Sequence, residues 1–184
     1  MSEAFDPIRE GFGMEPSAYP LGWPIAEKIS VEPIRKRLAN DVHVAHHSYV
    51  SEPRHNSVAN HGVFLDGDLV GAVSYAFLLC SSPIHGYKPD EYLELARVTI
   101  GIDMANLASC GMAKSQDLLT DTYAAENDIG LLVTYVHEDY DGSMFAALKK
   151  KGWTYDGESA GHQAGNRAEN DIRDVDKTRW VCEL

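Results

Sequence analysis

Residues 92–102 read YLELARVTIGI and residues 130–136 read GLLVTYV. The first stretch alternates. Leu93, Leu95, Arg97 and Thr99 are expected on one face, and Tyr92, Glu94, Ala96, Val98 and Ile100 on the other, so it reads as a strand. The second is an apolar run of strand length, the pattern of a central buried strand. Between them, from about Asn106 to Asn127, Ala, Leu, Met and Gln dominate and predict a long helix. Gly111 weakens that helix by about 1 kcal/mol relative to alanine and points to close approach of another backbone. Strand, helix, strand is a crossover unit, and it makes this an α/β chain.

Downstream, residues 143–151 predict a short amphipathic helix. Met144, Phe145 and Leu148 are its apolar side, Lys149, Lys150 and Lys151 suit its C-terminal dipole, and Gly152 ends it. Trp153 to Tyr155 begins a further strand. Residues 156–177 read as a polar loop, and residues 178–184 as an edge or hairpin strand. Upstream, GVFLDGDLVGAVSYAFLL at 62–79 is a hairpin turning on Asp66-Gly67-Asp68, since Asp-Gly supplies the positive φ of a tight turn. Residues 80–91 and 51–61 read as loops. Residues 31–38 read as a short helix, with Pro33 in its first turn. Residues 1–28, with Pro7, Pro16, Pro20 and Pro24, form an irregular arm whose Phe5, Phe12, Tyr19 and Trp23 are expected to pack on the rest. The expected architecture is one domain over 1–184. It has a mixed, mostly antiparallel central sheet with helices on both faces. A Rossmann fold is excluded because no strand ends in a glycine-rich phosphate fingerprint.

The chain of 184 residues carries 16 Lys and Arg against 28 Asp and Glu, a formal net charge of −12. Such a chain repels nucleic acid unless a basic site is local or salt screens the repulsion. Cys80, Cys110 and Cys182 are odd in number and widely spaced, which argues against a disulfide framework and fits a reducing cytoplasm. No apolar run approaches the roughly 18 residues of a membrane span, and the N-terminus lacks the pattern of a signal peptide, so no membrane role is expected.

Four stretches carry candidate chemistry. Five of the eight histidines lie between His43 and His61, and His43, His46 and His47 with Tyr49 suit acid–base work or metal binding. Glu94 and Arg97 are charges inside an apolar strand. Each needs its own reason: an ion pair with another element or, for Arg97, a cleft holding an anionic or planar group. Gly101 to Ser109 enters the long helix, where Asp103 or Asn106 caps and first-turn amides offer an anion site. The Arg/Gln-x-x-Gly-x-Gly/Ala pattern of acetyl-CoA users is missing there, and Asp103 is a poor neighbour for phosphate. Finally, His137 with Asp139 or Asp141 follows the central strand, where α/β sheets place ligands.

The element order resembles the GNAT acyltransferase superfamily. The ordered motifs resemble its divergent branch, the Mom-like DNA-modification proteins of bacteriophages. They are His46-His47-Ser48 with Tyr49, Gly71, Glu94-Leu-Ala-Arg97, Asn106-Leu-Ala-Ser109, Tyr135-Val-His137, Gly142-Ser-Met-Phe145 and Gly152-Trp-Thr-Tyr-Asp-Gly157. They span about residues 43–157. The family's His-Tyr is here His46-His47, its Asp after Tyr-x is His137, and its Tyr is Phe145.

The resemblance implies a transferase placing a carbamoylmethyl-type group on the N6 amine of adenine in double-stranded DNA, protecting viral DNA from restriction in a host cytoplasm. It implies catalytic roles for His46, His47, Tyr49, Asp139 and Arg97, and substrate or donor contacts from Glu94, Asn106, Ser109, His137 and Phe145. It also implies an iron site on His46, His47 and Asp139. The donor is a small molecule, acetyl-CoA or another acyl or glycyl compound. DNA contacts are expected from Arg35-Lys36-Arg37, Arg54 with His55, and Lys149 to Lys151, with Tyr49 or Tyr87 stacking a flipped base. The alternative implied by the wider superfamily is an acyl-CoA-dependent N-acetyltransferase of a small amine or protein. The acidic, lysine-poor composition also suggests adaptation to salt. Stability in denaturant titrations is then expected to rise toward molar salt, and equal stability in low salt contradicts that reading.

Overall fold

The computed structural model describes residues 7–8, 25–47, 52–78, 82–137, 144–159 and 177–184. The elements in chain order are α1 (Ile25–Lys28), β1 (Ile29–Pro33), α2 (Lys36–His46), β2 (Ser57–Leu65), β3 (Asp68–Ala76) and β4 (Tyr92–Ile100). They continue with α3 (Leu107–Leu119), a π-helical turn (Thr120–Ala124), β5 (Leu131–His137), α4 (Met144–Lys150), β6 (Thr154–Ser159) and β7 (Lys177–Glu183). Among the described residues the strands form one sheet in the order β1-β2-β3-β4-β5-β7-β6. Only β4 and β5 pair in parallel; the other pairs are antiparallel. No described helix is long and apolar enough to cross a membrane.

Helices cover both faces. On one, α3 presses Leu107, Met112 and Leu119 onto Val63, Val73, Tyr75, Leu93 and Leu95, and α4 adds Ala147 and Leu148. On the other, Ala39 and Val42 of α2 and Ile8 of the N-terminal arm cover Ala72. Gly111 lets α3 sit close to the sheet, because a Cβ there would stand 3.0 Å from both Val63 methyls. The close partner is therefore a side chain of β2 rather than a backbone. Asp66 and Gly67 take the positive φ values, 50° and 92°, that the β2–β3 turn requires.

Several expectations need correction. Residues 29–33 are a strand, not a helix: they pair along β2, and Pro33 is tolerated because β1 is an edge. The helix starts at Lys36 and takes in the histidine stretch to His46. The arm's last residues, Ile25–Lys28, are helical rather than irregular. The loop expected at 51–61 ends by Asn56, because Asn60 and His61 lie buried in β2 with side-chain partners. Residues 156–159 extend β6; β7 pairs antiparallel with it, as the hairpin alternative expects, and also with β5, so it is not an edge. The rest of the polar loop lies outside the described residues.

Gly71 sits opposite Ile100 in the β3–β4 ladder, and a Cβ there would meet Ile100 Cδ1 and come within 2.5 Å of the Thr99 carbonyl oxygen. Gly71→Ala is expected to cost about 2–3 kcal/mol through overpacking against backbone. Gly67→Ala, with no atom near its Cβ position, is expected to cost only about 1 kcal/mol of backbone strain. Urea denaturation of the two variants checks the order.

Candidate active site

β4 and β5 pair only through Tyr92–Leu131, Leu93–Leu132 and Glu94–Val133. Past that point β4 follows β3 to Ile100 while β5 follows β7 to His137. The Thr134 hydroxyl donates to the Leu95 carbonyl at 2.9 Å where the ladder stops. The sheet therefore splits between β4 and β5. Just inside the split, Ser74 pairs with Arg97 while the next β3 residue, Tyr75, pairs with Leu95, so Ala96 is the extra residue of a β-bulge. Ala96 has no partner residue in either neighbouring ladder.

The bulge corrects the expected faces of β4. Strict alternation puts Glu94 and Arg97 on opposite sides, but one inserted residue flips the parity. Leu93 and Leu95 face α3, and after the bulge Arg97 and Thr99 face α2, as Glu94 does. The two charges share a face, and both reach the segment 52–56. Arg97 Nη1 donates to the Glu52 carbonyl at 2.9 Å, and Arg54 Nη2 donates to Glu94 Oε2. Arg54 also donates from Nε to Asn56 Oδ1 at 3.0 Å. Its backbone is clamped by Asn40 of α2, whose Oδ1 accepts the Arg54 N–H at 3.0 Å and whose Nδ2 donates to the Arg54 carbonyl at 3.3 Å. Both members of the Arg54–Glu94 pair are largely shielded, with side-chain exposures of 22% and 14%. Removing one partner would leave a poorly solvated charge.

Behind this pair lies a polar chain. His43 is fully buried, with Nδ1 2.7 Å from Thr99 Oγ1 and Nε2 2.8 Å from Ser74 Oγ, and Ser74 donates onward to Asn60 Oδ1 at 2.8 Å. Since the Ser74 proton goes to Asn60, His43 donates from Nε2 and accepts the Thr99 hydroxyl at Nδ1. Burial, with Arg97 and then His47 adding to it, pushes the His43 imidazole down to about 3, so this chain is neutral. His47 is driven to about 4 by burial first, then by Arg97 and His137. On the opposite face His61 hydrogen-bonds Ser115 at 2.8 Å, burial lowers it to about 4, and Tyr75 contacts the same hydroxyl at 3.1 Å.

The remaining candidates lie apart. His46, at the end of α2, stands against Gly101: a Cβ there would lie 3.0 Å from its ring. Asn106 precedes α3 in the left-handed conformation, φ 66°, and makes no side-chain cap; Ser109 Oγ donates to its carbonyl at 3.0 Å. The left-handed turn that glycine would supply is thus present without a glycine. Phe145 faces away from Glu94 and Arg97, against Trp180, with ring centroids 5.5 Å apart. Tyr49, Asp139 and Asp141 lie outside the described residues. Among those described, no three His, Cys, Asp or Glu side chains converge as a metal site, so the expected iron centre gains no support. Arg54, expected only as a DNA contact, and Asn40 join the site although their sequence signal is weak. Their signal was a polar side chain breaking the apolar period of α2 and an arginine beside Pro53.

No protein-family model matches the chain, and no curated protein matches it. Solved structures do. A GNAT family acetyltransferase from Elizabethkingia anophelis with acetyl-CoA bound aligns over 86% of this chain and 99% of its own, at 13% identity and TM-score 0.54. A Bacillus subtilis acetyltransferase in complex with CoA aligns over 85% and 98%, at 10% identity and TM-score 0.55. The ribosomal-protein-S18-alanine N-acetyltransferase from Escherichia coli aligns over 85% and 94%, at 9% identity and TM-score 0.55. The fold is that of the GNAT acetyltransferases. The Mom-like part of the resemblance finds no support in these comparisons.

The histidines give a pH test. A histidine lowered in the folded state gives stability that is fully present above its unfolded value near 6.5. That stability is lost as pH falls toward the folded value. With His43 at about 3 and His47 and His61 at about 4, folding stability should decline from pH 6.5 to about 4. His43 alone should contribute about 2 kcal/mol of that loss between pH 6.5 and 5. Urea titrations along this range should show the slope, and His43→Gln should flatten it.

Proposed function

We propose that this protein is an acyl-CoA-dependent N-acyltransferase that works at the split between β4 and β5. The observation that carries the reading is that split, with the Ala96 bulge beside it. A β-strand whose ladder stops short presents backbone donors and acceptors to anything extended that enters beside it. The pantetheine arm of CoA is extended and carries two amides, so it suits that edge. Two of the similar structures hold CoA or acetyl-CoA. The turn 101–106 leads into the first-turn amides of α3, which suit a pyrophosphate. Exposed Asp103 in that turn works against it.

Within this reading Glu94 is the proton acceptor. Arg54 engages Oε2, and the other oxygen, Oε1, takes a proton from the incoming ammonium. The freed amine attacks the acyl carbon, an N–C bond forms and the C–S bond breaks. The departing sulfur keeps the electron pair and takes the second nitrogen proton. His47, neutral at pH 7, accepts hydrogen bonds from the acceptor substrate, and Arg97 holds the 52–56 segment in place. The adenine-N6 reading rests on its motifs and needs Tyr49 and Asp139, which the described fold does not include.

Calorimetry with CoA and thiol release from acetyl-CoA over a panel of amines test the proposal. Binding in the micromolar range is expected, and Glu94→Gln should lower kcat by about a hundredfold while leaving CoA affinity nearly unchanged. Asp103→Asn should tighten CoA by about two- to fivefold, less so at high salt. Absence of CoA binding at millimolar concentration overturns the reading. A mass-shifted deoxyadenosine in the DNA of expressing cells would then revive the adenine reading.

A further inference from the structure

A cavity lies toward the β6 edge of the sheet, between α4 and strands β6 and β7. It is open and has a volume of about 630 Å³. Trp180 and Trp153 form its floor, 6% and 3% exposed. Phe145 and Lys149 of α4 make one wall and Tyr155 of β6 the other. The rings are arranged around Trp180. Phe145 is tilted by 39° with centroids 5.5 Å apart, and Tyr155 meets it edge-on at 75° and 5.9 Å. Tyr155 is 53% exposed, so its ring is open to a ligand in the cavity.

The polar groups of this lining narrow its ligand. Trp153 Nε1 donates to Gln116 Oε1 at 2.8 Å and Trp180 Nε1 to Thr178 Oγ1 at 3.1 Å. The Thr178 hydroxyl itself donates to the Val136 carbonyl at 3.3 Å. Both indoles have therefore spent their only donor inside the protein. Lys149 is the one charged side chain among the described lining residues, and no carboxylate joins it, although the chain as a whole carries −12. Its ammonium stands 5.8 Å from the Trp180 ring centroid, held at the cavity wall by the ring quadrupole.

We infer that this cavity binds a flat aromatic ring bearing an anionic group. The ring stacks against Tyr155 and Trp180 and the anion pairs with Lys149. The cavity lies across β5 from the split, on the α4 side of the sheet, whereas Glu94 and Arg97 face α2. It therefore stands whether or not the transferase reading does.

The probes are 2-naphthoate, neutral 2-naphthalenemethanol and cationic 2-naphthylmethylamine, titrated calorimetrically into the whole protein. The naphthoate should bind about tenfold more tightly than the alcohol, the worth of one charge-assisted contact. Lys149→Met keeps the apolar stem and should erase that preference while leaving alcohol binding within about twofold. Tyr155→Ala should weaken both by about five- to tenfold, from the loss of one stacking ring. Lys149 and Tyr155 are exposed, and unchanged thermal unfolding of each variant confirms that folding is not the cause. The inference is overturned if no probe binds at millimolar concentration. It is also overturned if naphthoate and alcohol bind equally, if the amine binds best, or if Lys149→Met retains the preference.

Discussion

The arrangement turns on the short parallel pairing of β4 with β5. Three residue pairs join the two halves of the sheet, β1 to β4 and β5 to β6, and then the strands part. A parallel pair broken this early leaves backbone groups inside an otherwise buried sheet. Such groups are costly unless something satisfies them. Thr134 satisfies the first, through its hydroxyl on the Leu95 carbonyl, and the bulge at Ala96 redirects the strand immediately after. On one side α3 packs on strands of both halves, while on the other α2 covers β2 to β4 and Ile84 with Tyr87 covers β5 and β7. In this reading an extended amide-bearing ligand completes what the ladder leaves open.

The same bulge organises the electrostatics. By flipping parity it places Glu94 and Arg97 on the α2 face, and each reaches across to the 52–56 segment. The segment is fixed by charges at two points and by the Asn40 amide at its backbone. Under this layer His43 and His47 are neutral, because burial and the nearby Arg97 disfavour a second positive charge. Arg54 and Arg97 thus place two cations beside the cleft of a protein whose net charge is −12.

Much of the fold was legible because its signals were local and redundant. The alternation at 92–100, the apolar run at 131–136 and the Asp66-Gly67 turn each had one sensible reading. What misled were places where pairing overrode local pattern. Residues 29–33 carry a proline and few apolar residues, yet become a strand because β2 offers them an edge. Asn60 and His61 look like loop residues but are buried, their polarity absorbed by Ser74 and Ser115. The relation of Glu94 to Arg97 was misread for one reason: a bulge is specified by the partner strand's register, and nothing in residues 92–102 announces it. Arg54 could not be assigned to Glu94 because the contact joins residues 40 positions apart.

The central claim is that an acyl-CoA occupies the split along β4. Amide hydrogen exchange, read by mass spectrometry with and without CoA, measures it most directly. The account predicts added protection in peptides spanning residues 95–100 and the 101–107 turn, with β1, β2 and β6 unchanged. Exchange in those β4 peptides that is unaltered by saturating CoA, or protection confined elsewhere, would contradict it.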